Sequence, residues 1–131
     1  MCKLVAYLEA SYFAVAMMPP SLVTPVTGWN LTADGHWIVK IVGMALGTQA
    51  HTAWSMRNKP NVEVAKGLAF YQLASATVDW VMWLVLKDEG IFQTPQAQAL
   101  VVCAFVSHYL LGGLMIISIR NHMESSDDKK A

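Results

Sequence analysis

The sequence predicts an all-α protein: a transmembrane four-helix bundle with both termini on the same, cytoplasmic-equivalent side. Three observations carry this expectation. Hydrophobic residues make up 55% of the 131 residues and charged residues only 14%, against about 25% charged in an ordinary soluble domain. The apolar residues fall into four stretches, Leu4–Met18, Trp37–Met56, Val64–Leu86 and Ala97–Ile119. Lysine and arginine gather at one end of those stretches. A bilayer core of about 30 Å takes roughly 20 helical residues. The expected spans are 3–18, 36–56, 64–86 and 96–119, in one membrane domain 1–131 that ends in a polar tail, 120–131.

Taken in order, the first stretch is short, carries Glu9 and is closed by Pro19-Pro20. A cleaved signal sequence is its rival, with Lys3 as the charged region. Glu9 in the apolar region argues against cleavage, and so does the charge pattern that its removal would break. The segment Pro19 to Gly35 holds three prolines, two glycines, Asn30 and Asp34, and reads as a connection. The second stretch includes Lys40. A basic turn, Arg57-Asn58-Lys59-Pro60, separates it from the third. Lys87 to Gln96, with Gly90 and Pro95, separates the third from the fourth. A soluble bundle would show one apolar stripe per helix. Here Val64–Leu86 has only Lys66 and Asp79 as ionisable groups, and Ala97–Ile119 only His108.

Charge sets the orientation. With four spans, Lys3, Arg57, Lys59, Lys66, Arg120, Lys129 and Lys130 share one side, against Lys87 in a loop on the other. Cationic excess marks the cytoplasmic face. Trp37, Trp54, Trp80 and Trp83 lie toward span ends, where an indole ring has one apolar edge and a wet N–H. Nine Lys+Arg balance nine Asp+Glu, so a nucleic-acid partner is excluded for lack of a basic footprint. The pattern suits a thylakoid, inner mitochondrial, endoplasmic-reticulum or bacterial inner membrane alike.

Polar residues at membrane depth are costly and point to function or to pairing. Six form the candidate cluster: Glu9, Lys40, His51, Gln72, Asp79 and His108. Lys40, Gly43, Gly47 and His51 fall on one helical face; Gln72 and Asp79 share another; His108 and Gly112 share a third. Gly43, Gly47 and Gly112 are the candidate packing positions, because small residues let backbones approach. Matching depths pairs Glu9 with His51 and Lys40 with Asp79, leaving His108 near mid-membrane. His108 and His51 are also the candidate axial ligands for chlorophyll or haem, through a ring nitrogen. Each reading stands beside a bland one: Lys40 snorkelling to headgroups, Asp79 as a structural partner, His108 as a hydrogen-bonded core residue. Cys103 reads as a buried, inert thiol. No metal-ligand spacing occurs.

The run Thr27-Gly28-Trp29, the Gly-rich helix Trp37–Gly47, the basic turn Met56-Arg57-Asn58 and Asp79 resemble the small four-helix DoxX-like membrane proteins in spacing. The resemblance covers about half the chain and implies the four-helix topology, with no catalytic residue carried over. Glu9 in the first span is similar to the small multidrug transporters; Lys40 and Asp79 depart from that pattern. No HExxH, Cys-x-x-Cys, phosphate loop or Gly-x-Ser-x-Gly elbow occurs in the sequence. The expectation is a non-catalytic accessory subunit of a photosynthetic or respiratory membrane complex, in contact with lipids and other membrane subunits. A small-molecule binder or enzyme with its site inside the bundle is the alternative. A proton-coupled small transporter centred on Glu9 is the minor one.

Overall fold

A computed structural model describes residues 1–127; Lys129 and Lys130, counted in the charge pattern, lie outside the described residues. Among the described residues the chain is all-helical, with five helices and no strand: α1 (Cys2–Ala16), α2 (Pro20–Thr27), α3 (Ala33–Ser55), α4 (Val62–Leu86) and α5 (Pro95–Asp127). Two of them, α4 and α5, are long and apolar enough to cross a membrane.

The boundaries follow local chemistry. Thr32 caps α3, its hydroxyl accepting from Gly35 N–H at 3.2 Å. Asn61 caps α4 by accepting from Val64 N–H at 3.1 Å. The Thr94 hydroxyl accepts from Ala97 N–H at 3.1 Å as Pro95 opens α5, where its missing N–H costs nothing. Such caps satisfy amides that the first helical turn leaves bare.

One expectation needs correction. The Pro19–Gly35 connection contains a helix, α2, so the described chain has five helices rather than four. Pro20 sits in its first turn, and Gly28 (φ 74°) ends it in the left-handed conformation, its N–H bonding Thr24 O at 2.8 Å. Past Ile119 the polar segment continues α5 as far as Asp127. An Arg120–Glu124 pair at 2.7 Å, one turn apart, supports that extension.

Gly28 also packs closely. A Cβ at Gly28 would overlap the Thr94 hydroxyl that caps α5. Gly28→Ala is therefore expected to cost about 1–2 kcal/mol from the backbone conformation alone, and more from the displaced cap. Thermal unfolding in detergent checks it; an unchanged midpoint would contradict it.

Packing is strongest between α1 and α3 and between α4 and α5. Two apolar clusters hold the bundle. One joins all four long helices near the N-terminus, through Val5, Ala53, Met56, Leu68, Leu111 and Met115 among others. The second, at the opposite end, gathers Phe92, Ala97 and Val101 under Trp29, Met82 and Trp83. Trp29 locks the α2–α3 connection down: its indole N–H donates to Ala97 O at 3.3 Å.

The glycines singled out in the sequence lie at close approaches. A Cβ on Gly43 would stand 2.8 Å from Ala16 Cβ, and one on Gly47 would stand 2.9 Å from the Phe13 ring. Gly112 meets Leu73 of α4 in the same way, at 2.7 Å.

Candidate functional site: a buried acid–imidazole–acid cluster

Between the two apolar clusters lies a polar layer. Glu9 of α1, Gln72 of α4 and His108 of α5 are 0%, 0% and 3% exposed. The Gln72 amide N–H donates to Glu9 Oε1. His108 stands between two carboxylates. Its Nδ1 faces Asp79 Oδ2 at 3.2 Å, and its Nε2 faces Glu9 Oε1 at 3.5 Å. The first is a hydrogen bond; the second is an ionic contact slightly too long for one. Helix period explains the convergence. Gln72 and Asp79 are seven residues apart, about two turns, so both face α5 and α1 from one stripe of α4.

Tyr12 and Ser107 complete the layer, and neither was singled out in the sequence. Ser107 donates to Ala104 O at 2.8 Å. Its one hydrogen is then used, so the Tyr12 hydroxyl donates to Ser107 Oγ at 2.8 Å. The Tyr12 ring also stands edge-on to His108, 5.4 Å between centroids. Their signals were available: Tyr12 is one turn past Glu9, and Ser107 adjoins His108.

The pairs expected from depth do not form. Glu9 meets Gln72 and His108 rather than His51, which is exposed on α3. Lys40 does not meet Asp79; its ammonium donates to Met18 O at 2.8 Å, just past the end of α1. A cation there offsets the negative end of the helix. Four of the six candidates (Glu9, Gln72, Asp79 and His108) thus come together, and two do not. Cys103, read as buried, is exposed on α5.

The cluster is incompletely satisfied. Glu9 Oε2, Gln72 Oε1 and His108 Nε2 are buried with no hydrogen-bond partner among the described residues. Each such atom costs about 1–3 kcal/mol or more if charged. With His108 protonated and both carboxylates ionised, the three groups carry one net negative charge.

No protein family, curated protein or solved structure matches the chain.

The geometry limits what the cluster can hold. A macrocycle on His108 does not fit, because both ring nitrogens face carboxylates and the side chain is enclosed. His51 is the one of the two histidines with open space beside it. The broad groove of about 630 Å³ between α4 and α5 is lined by Lys66, Phe70, Leu73, Ile116 and Arg120 among others, and lies apart from the cluster. Among the described residues no group of three or more His, Cys, Asp and Glu side chains is placed to hold a metal ion.

Proposed function

We propose that this chain is a four-span integral membrane protein and a non-catalytic subunit of a larger membrane assembly, photosynthetic or respiratory. The single observation that carries the reading is how little of its apolar surface the chain buries by itself. Only 22% of the apolar window of α4 and 28% of that of α5 is inside the fold. Trp37, Ile38 and Ile41 on α3, with Phe70, Val78 and Val85 on α4, are each more than 60% exposed. A core helix of a water-soluble bundle would hide these groups. Exposed apolar side chains in this number belong against lipid or another protein.

In this reading α1, α3, α4 and α5 are the spans, and α2 lies at the outer surface. The N-terminus, the Arg57–Lys59 turn and Arg120 then share the cytoplasmic-equivalent side. Helix α1, with 15 residues, is about 22 Å long at about 1.5 Å per residue. That is shorter than the bilayer core, and local thinning or flanking residues make up the difference. The subunit reading is favoured over a ligand-binding one because the described grooves lie along α4 and α5 and at the N-terminal end, and none is lined by Glu9, Asp79 or His108.

The test is photocrosslinking in the native membrane from positions Trp37 and Phe70, followed by purification in mild detergent. The expected result is the same partner subunit captured repeatedly and a particle larger than the chain. A lone small particle without partner or chromophore would overturn the proposal.

A further inference from the structure

We propose that Asp79, His108 and Glu9 form a proton-loading site: Asp79 receives a proton, His108 relays it, and Glu9 stores it. Burial is graded along this line. The side chains of Asp79, His108 and Glu9 are 24%, 4% and 0% exposed. Asp79 alone of the three reaches the surface. It lies about 10 Å below the Leu86 end of α4, counting about 1.5 Å per residue.

The steps balance without any oxidant or second substrate. An Asp79 O–H passes its proton to His108 Nδ1. The N–H on Nε2 passes its proton to Glu9 Oε1. One O–H and one N–H break, and one N–H and one O–H form. The imidazole is left as the other tautomer and resets by the reverse transfer. The 3.5 Å gap between Nε2 and Glu9 Oε1 must close by a few tenths of an ångström for the second step. The groups around His108 suit the task. From α1 it faces Glu9 and the Tyr12 ring; from α4 it faces Asp79, with Gln72 holding Glu9. Among the described residues α3 contributes no ion pair to the cluster.

The path has one open end. On α1, α4 and α5 the residues one turn beyond the cluster are apolar and buried: Val5, Leu68 and Leu111, joined by Met115 a turn further on, Ala53 of α3 and Met56 just past its end. This apolar layer separates Glu9 from the N-terminal end of the fold. The site therefore loads from the Asp79 side and does not conduct. Its sidedness rests on the four-span reading; the loading itself does not.

The test is time-resolved infrared difference spectroscopy of the full chain after a downward pH step, read at the protonated-carboxyl stretch. In detergent, Glu9→Gln should remove a carboxyl band. Asp79→Asn and His108→Gln should keep it but slow its rise by about tenfold or more. A band untouched by Glu9→Gln, or one rising at the wild-type rate in both other variants, overturns the proposal. Should Glu9→Gln fail to fold, the two rates decide. In oriented vesicles the band should rise when the step is applied on the side of the α4–α5 loop and not on the other. A rise from the opposite side alone, or equally from both, overturns the sidedness, while the detergent result still decides whether the store exists.

Discussion

Replacing His108 by Ala is expected to destabilise the folded chain by about 3–5 kcal/mol, the usual cost of removing one partner from a buried charged set. The imidazole faces both carboxylates, at 3.2 Å and 3.5 Å. Its loss leaves Glu9 wholly buried with only the Gln72 amide for company, and it leaves a cavity beside Tyr12. The remedy should be specific. Adding Glu9→Gln to His108→Ala removes the stranded charge, so the double variant should be more stable than His108→Ala alone. Denaturant unfolding in mixed micelles gives the four stabilities of the cycle. Simple additivity would show that the two groups do not interact.

The second large effect is expected at the α1–α3 seam. Gly43→Leu should cost about 2–3 kcal/mol by overpacking. The group in the way is the β-carbon of Ala16, at 2.8 Å, with Met17 Sδ behind it at 3.3 Å. A β-carbon moves only with its backbone, so the two helices must separate. Gly47→Leu should be milder, because the Phe13 ring it meets is 36% exposed and can turn outward. Gly67 and Gly113 have nothing within 4 Å. Alanine at either should be neutral, or stabilising by up to about 1 kcal/mol from helix propensity. Equal effects at Gly43 and Gly113 would mean that the seam is not where the structure places it.

Much of the fold was legible because proline and glycine punctuate it. The expected span starts 3, 36, 64 and 96 lie within three residues of the observed helix starts Cys2, Ala33, Val62 and Pro95. The α2 helix was missed because its prolines read as a turn. Pro20 opens a helix well, and Gly28 is the usual residue to end one. The apolar span 96–119 marks only part of α5, whose polar end is held at helical spacing by Arg120 and Glu124.

Glu9, Gln72, Asp79 and His108 could be picked out as polar residues at similar depth, but neither their pairing nor the part of Tyr12 and Ser107 could be. Depth alone placed His51 opposite Glu9. Positions four apart advance about 40° around a helix at each step, so the Gly43–Gly47 seam carries His51 about 80° off by the next turn. It ends on the exposed side, and Glu9 is left to face α4 and α5. Lys40 lies one turn the other way and meets the end of α1 before it can reach Asp79. Pairing depends on azimuth and neighbour order, which a single helical wheel does not contain.

The measurement that bears most directly on the four-span account is the sidedness of its loops. Asn58→Cys and Asp88→Cys, each in a Cys2→Ser, Cys103→Ser background, would be labelled with a membrane-impermeant maleimide in sealed, oriented vesicles. The account predicts that Cys at 58 reacts only from the side that carries the N-terminus, and Cys at 88 only from the other. Labelling of both positions from the same side would contradict it.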